Sequence, residues 1–439
     1  MTSELLRCVR LLDPVSGADR RADVLITDGL IEAVEPQISQ WSADTTVRDC
    51  QELILGPGLV DLYSHSGEPG FEERETIASV SLAAVAGGVT RLTILPDTVP
   101  PLDNPVGLAR LRQQAARDRA SLSPLPRLQF WGALTLGVEG AQMAELAELV
   151  EAGVVGFTDG YPLANLMLLR RALEYLRPLG KPVALRAGDR QLAGNGVMRE
   201  GKQSIRFGVP GSPAIAESAA LAALLEVVAA TGTPVHLMRI STQRSVELIR
   251  EAKARGLPIA ASTTWMHVLL STEDLGNYDP NLRLDPPLGN PDDQTALRQG
   301  LRDGTLDAIA IDHTPYTYEE KTVPFAEAPA GAIGLELALP LLWHNLVETG
   351  DWTALELWQC LSTNPARCLG QTPAAIAPGQ LAELVLFDPQ QTWKVERGTL
   401  NSLAANTPWL GQLLSGQVVQ TWCPPENEGD RTPIPHDKM

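Results

Sequence analysis

The run Leu53-Ile-Leu-Gly-Pro-Gly-Leu-Val-Asp-Leu-Tyr-Ser-His65 decides how the chain is read. It is apolar along most of its length, strand-like, and ends in polar residues. Seven further runs of this kind follow: Thr90–Pro96, Leu128–Leu134, Val154–Asp159, Val183–Asp189, Val235–Ser241, Ile259–Thr264 and Ala308–His313. Helical patterns come after most of them, at Val106–Arg119, Leu163–Leu176, Ile215–Ala230, Arg244–Arg255 and Gln294–Arg302. The stretch Asn277–Pro291 is rich in Pro and Asn and reads as loop. Eight strand–helix units over about 290 residues predict an α/β protein with a TIM (β/α)8 barrel, the alternative being a doubly wound open sheet.

Outward from the barrel, both chain ends carry β grammar. Ala22-Asp-Val-Leu-Ile-Thr27, the turn Asp28-Gly29 and Leu30-Ile-Glu-Ala-Val34 form one hairpin signal. Ala382-Glu-Leu-Val-Leu-Phe387, the turn Asp388-Pro389 and Trp393-Lys-Val-Glu396 repeat it. The expected organisation is a small β-sandwich from residues 1–54 plus 370–425, a barrel over 55–369, and a mobile tail over 426–439.

Composition removes several function classes. Among the 439 residues, Lys+Arg number 35 and Asp+Glu 53, a net charge of −18 with no basic block. Such a chain is not suited to nucleic acid or an anionic membrane. No apolar run approaches the ~18 residues a membrane span needs. The N-terminus lacks a basic region followed by an apolar core, so no signal peptide is expected. The five cysteines, Cys8, Cys50, Cys360, Cys368 and Cys423, form no C-x-x-C pair and read as reduced thiols of a cytoplasmic protein. No G-x-S-x-G, P-loop or H-E-x-x-H is present.

In a barrel the functional side chains stand at the C-terminal ends of the strands. Those ends carry Tyr63 and His65, Asp97, Asp159, Arg186, Arg239 and Asp312. Several segments beside them, Gly56-Pro-Gly-Leu-Val-Asp-Leu62, Glu68-Pro-Gly-Phe-Glu72, Ala86-Gly-Gly-Val-Thr90, Tyr278-Asp-Pro-Asn281, Pro286-Pro-Leu288 and Asp303-Gly-Thr-Leu-Asp-Ala-Ile309, resemble the dihydroorotases of the amidohydrolase superfamily, of the type that partners aspartate carbamoyltransferase. The resemblance spans nearly the whole chain.

It implies a metal centre that interconverts carbamoyl-aspartate and dihydroorotate, with zinc lowering the pKa of its water toward ~7. The family's ligands are an H-x-H after the first strand, a Lys or Asp after the fourth, a His after the fifth and the sixth, and an Asp after the eighth. Here those positions read Tyr63 and His65, Asp159, Arg186, Arg239 and Asp312. Asp312, the family's proton shuttle, becomes a vestigial base. The family's substrate residues fare alike: its Arg two places after H-x-H is Gly67, its Arg after P-P-L is Gly289, and two Asn positions are Asp97 and Asp285.

A zinc ion needs about four donors, and two permanent guanidinium charges at ligand positions repel it. No cofactor is therefore expected. Arg186 or Arg239 is expected to reach Asp159 or Asp312, exchanging the metal centre for an ion-pair cluster. The plainer readings are a satisfied structural His65, Asp159 and Asp312 as helix caps or loop anchors, and solvated arginines. His267 and His313 are assigned no chemistry, and His236 a stabilising place toward the barrel bottom. The expected function is a catalytically inactive dihydroorotase-family protein of pyrimidine biosynthesis, homo-oligomeric and a structural partner of aspartate carbamoyltransferase. The alternative is an active dihydroorotase or related cyclic-amide hydrolase with a reduced zinc site.

Overall fold

The computed structural model describes residues 3–122 and 124–424. In it the first apolar run divides at Gly58, where any side chain would collide with Thr90. Ile54–Pro57 joins a sheet made by the chain ends, and Leu59–Ser64 becomes the first barrel strand. The second, third, fifth, sixth, seventh and eighth strands are Val89–Ile94, Arg127–Phe130, Ala184–Arg186, Val235–Met238, Ile259–Thr264 and Ala308–Ala310. All their pairings are parallel. The fourth predicted run pairs on both sides around Phe157: the Val155 and Thr158 amides donate to the Phe130 and Gly132 carbonyls at 2.9 and 3.0 Å, and the Phe157 and Ala184 amides to the Pro182 and Phe157 carbonyls at 2.9 Å.

Closure between the eighth and first strands uses side chains. Asp61, fully buried, accepts from the Ile311 amide at 2.8 Å, and Ser64 Oγ accepts from the His313 amide at 3.0 Å. The His65 amide then donates to the His313 carbonyl at 2.8 Å. With that seam shut the sheet is a barrel and not an open sheet. Burial pushes the Asp61 carboxyl up to about 7, against the hydrogen bonds it accepts.

Helix boundaries follow their caps. The helix expected from Leu163 begins at Leu166, because the Asn165 side chain accepts from the Leu168 amide. The helix expected from Gln294 begins earlier, at Pro291, where Asn290 and Asp293 form a capping box. Gln243–Ala254 starts behind Thr242, and Ile215–Thr231 lies next to it.

The chain ends meet in one mixed sheet. Its strand order is Leu413–Trp422, Leu384–Lys394, Ile54–Pro57, Ser3–Asp13, Ala18–Thr27, Leu30–Glu35, with Thr46–Asp49 also on Ser3–Asp13. Ile54–Pro57 is the splice: it runs parallel to Ser3–Asp13 and antiparallel to Leu384–Lys394. A buried pair fastens this sandwich to the barrel, with Arg91 Nε 2.7 Å from Glu383 Oε1 and Nη2 2.8 Å from Oε2. The tail expected over 426–439 lies outside the described residues. No described helix is long and apolar enough to cross a membrane.

Under the mouth, the barrel interior holds a short polar chain. Tyr63 Oη meets Ser262 Oγ at 2.9 Å, and Ser262 Oγ meets His236 Nε2 at 2.8 Å. His236, near the start of its strand, therefore sits one hydroxyl away from Tyr63. Burial, with a smaller push from the Lys253 charge, moves its imidazole down from 6.5 to about 3. Between these values the unfolded chain binds a proton that the folded chain refuses. The His236 contribution to stability is thus full above about pH 6.5 and falls on acidification by up to about 1.4 kcal/mol per pH unit, opposite in sign to that of Asp61, whose raised pKa costs stability as pH rises toward 7. The stability difference between the parent and His236→Gln, from urea unfolding, is expected to move in the variant's favour by this slope between about pH 7 and pH 5. A difference that does not move with pH would contradict the assignment.

Candidate functional site

Strand ends bring the site together, and two of them are bent to do so. Arg239 and Asp312 both adopt left-handed backbone, with φ of 56° and 54°. Ordinary residues avoid this region, and holding them there costs of order 1–3 kcal/mol each. At both places it accompanies side chains that meet over the barrel axis.

Arg239 is the centre of the arrangement. Its Nε donates to Asp312 Oδ2 at 2.9 Å, and its Nη2 to Asp312 Oδ1 at 2.6 Å. Nη1 donates to the Gly160 carbonyl at 3.2 Å. Nη2 also lies 2.9 Å from His65 Nε2. Its backbone amide donates to Tyr63 Oη at 3.1 Å, and the guanidinium carbon stands 5.5 Å from the centre of the Tyr63 ring. Burial works against the charge on Arg239, but the Asp312 carboxylate and its hydrogen bonds outweigh it and hold the guanidinium firmly protonated.

That charge fixes the state of its neighbours. A guanidinium only donates. His65 Nε2 must therefore accept, and the ring proton sits on Nδ1, which donates to Asp97 Oδ1 at 3.1 Å. Asp97 Oδ2 accepts from Tyr161 Oη at 3.0 Å. Tyr63 is fully buried, and burial together with the Asp312 charge raises its phenol well above the usual range. It keeps its proton.

Arg186 does not join this cluster. It reaches across to the loop after the seventh strand, where Nη1 donates to Asp285 Oδ2 at 2.9 Å and Nη2 contacts Oδ1. Partial burial opposes the ionised form of Asp285. The Arg186 partner, with help from Arg239 and Arg283, overrides it and holds the carboxyl at about 2. Asp159 meets neither arginine, which corrects its expected place in the ion-pair cluster. Its two oxygens take the Leu134 amide at 2.8 Å, the Thr135 amide at 3.0 Å and Thr135 Oγ1 at 2.6 Å. A carboxylate with three donors needs no cation, and Asp159 is a loop anchor. His267 and His313 are likewise structural. His267 bridges Thr264 Oγ1 and the Pro286 carbonyl, and His313 spans Glu75 and the Gly334 amide.

Two partners escaped the sequence reading of the charge balance. Asp97 and Asp285, which the family resemblance presents as lost substrate contacts, are the carboxylates that complete the histidine and the second arginine. The signal in the sequence is their sign: two acids share the mouth with two arginines.

These residues line a cavity of about 320 Å³, together with Arg74, Trp265 and Tyr316. Their chemistry does not fit a metal. Tyr63 holds its proton, the His65 Nε2 lone pair is engaged, both Asp312 oxygens are engaged, and Asp159 faces its own loop. Among the described residues no three His, Cys, Asp or Glu side chains converge so as to hold an ion.

Removing one member of the Arg239–Asp312 pair strands the other charge. Asp312→Ala is expected to cost about 3–5 kcal/mol of folding stability, whereas Arg239→Met combined with Asp312→Leu recovers most of that loss. Arg186→His is expected to cost only about 1 kcal/mol or less, because Asp285 is 52% exposed and solvent screens the pair. Chemical denaturation of the four proteins checks the order; an Asp312→Ala variant as stable as the parent would contradict it.

Known proteins place this geometry. The amidohydrolase family profile matches residues 54–430. A probable dihydroorotase-like protein of Synechocystis sp. is 46% identical over 436 residues, covering 94% of this chain and 97% of that protein. The dihydroorotase of Pelotomaculum thermopropionicum is 38% identical, covering 94% of this chain and 95% of its own length. Among solved structures, the L-hydantoinase (dihydropyrimidinase) from Arthrobacter aurescens superposes with a TM-score of 0.82 at 21% identity, over 97% of this chain and 98% of the other. The dihydropyrimidinase from Brevibacillus agri gives 0.79 at 20% identity, over 96% and 94%. These two share the fold, a TIM barrel with a β-sandwich. The chain belongs to the amidohydrolase family, among its dihydroorotase-like members.

Proposed function

We propose that this dihydroorotase-like protein of pyrimidine metabolism holds no catalytic metal, turns over no cyclic amide, and serves in the cytoplasm as a structural partner of aspartate carbamoyltransferase. One observation carries the reading: the Arg239 guanidinium spans Asp312 and His65 at hydrogen-bond distance.

Dihydroorotase chemistry needs an activated water, a polarised amide carbonyl and a base that shuttles a proton. Here the residue at the base position, Asp312, spends a lone pair of each oxygen on Arg239 and faces a fixed guanidinium. The family's metal donors are replaced or engaged, and no step can be routed through an ion that these residues do not fit. The scaffold is nevertheless kept at 46% identity to a dihydroorotase-like relative. Retained architecture around residues that do not fit a metal supports a role in assembly, of the kind that inactive members of this family play beside aspartate carbamoyltransferase. Five free cysteines support a reducing compartment.

Purified protein is expected to contain far less than one zinc per chain, and to cyclise no carbamoyl-aspartate with zinc or manganese added. It is expected to co-purify with aspartate carbamoyltransferase from its native cell. Stoichiometric zinc together with turnover would overturn the reading in favour of an active cyclic-amide hydrolase with a reduced metal site.

A further inference from the structure

Two arginines face the mouth, but only one is closed. Arg239 spends its donors on Asp312, His65 and Gly160, all within the barrel end. Arg186 is nearly as buried, with a side chain 7% exposed, yet among the described residues the only hydrogen-bonded partner of its guanidinium is Asp285, 52% exposed on a loop. Its Nε is buried with no hydrogen-bond partner among the described residues. A buried guanidinium with a vacant donor carries an unmet demand for an oxygen acceptor.

Asp285 answers that demand only in part. It comes from a segment 99 residues away in sequence and presents its carboxylate from the solvent side of the cavity. The outer member of the pair is 52% exposed, so solvent screens it. An incoming oxyanion can therefore take its place at small electrostatic cost. It would gain a planar two-pronged donor, which carboxylate and phosphate oxygens match. The cavity of about 320 Å³ has room for such a small molecule.

We propose that Arg186 anchors a binding site for a small oxyanion, a carboxylate or a phosphate, and that Asp285 is the built-in stand-in that such a ligand displaces. The inference rests on the reading of the mouth as metal-free, and it gives that mouth a ligand where it has no reaction. Displacement frees the loop after the seventh strand from the barrel end, so ligand occupancy is coupled to the position of Asp285.

The test is calorimetric titration of acetate and of inorganic phosphate, at fixed ionic strength set with chloride, into the parent, Asp285→Asn and Arg186→Gln, with zinc measured in each sample. Removing the internal competitor is expected to tighten binding of at least one probe about five- to tenfold in Asp285→Asn. Arg186→Gln is expected to abolish saturable binding. Acetate or phosphate alone responding identifies which source the site prefers. Asp285→Asn without a gain for either probe, or Arg186→Gln binding like the parent, overturns the proposal. Asp285→Asn leaves Arg186 in place and decides the matter even if Arg186→Gln does not fold. Zinc in the samples would instead indict the metal-free reading, independently of the anion result.

Discussion

A guanidinium cannot shed its charge at any pH a protein survives, so once Arg239 stands at the end of the sixth strand its surroundings have to accommodate a fixed cation. Asp312 supplies both oxygens, Gly160 a carbonyl, and His65 a lone pair. The same four contacts take away what a divalent ion would need. The cation and the metal compete for one set of ligands, and the sequence places the cation there covalently. Losing it would leave Asp312 and Asp97 on either side of His65 without the guanidinium that faces Asp312. This makes the pair a constraint on folding as well as on chemistry.

The rest of the structure serves that arrangement. The barrel is shut by Asp61 and Ser64 directly below His65, so the seam between the first and eighth strands also fixes the spacing of His65 and Asp312. Left-handed backbone at Arg239 and Asp312 is a local cost, met by the contacts their side chains make. Tyr63 fills the interior beneath the guanidinium and its hydroxyl accepts from the Arg239 amide, while Ser262 and His236 complete the chain below. The sandwich, held through Arg91 and Glu383, is remote from this chemistry and supports the barrel's lower rim.

Much of this is legible in the sequence, for identifiable reasons. Parallel strands buried on both faces appear as apolar runs, so the eight units stand out, and the polar residue ending each run marks the mouth. At the end of the fourth run Asp159 is drawn to Leu134 and Thr135, a tertiary hydrogen-bond set that no local pattern announces. The arginines were locatable by position, but their choice of partner was not. Arg239 finds Asp312 because the ends of the sixth and eighth strands, one on either side of the seventh, converge in a closed ring. Arg186 finds Asp285, and not Asp159, because a long loop after the seventh strand folds back over it. Loop paths of that length are set by packing and are not written in periodicity.

The account turns on the His65 Nε2 lone pair being held by Arg239, and it can be observed directly. Nitrogen-15 NMR of histidine-labelled protein should show His65 as the neutral Nδ1–H tautomer, with both ring nitrogens unmoved when zinc is titrated in. A zinc-dependent shift of the Nε2 resonance to a coordinated position, with Arg239 still present, would contradict the claim that the guanidinium has taken the metal's place.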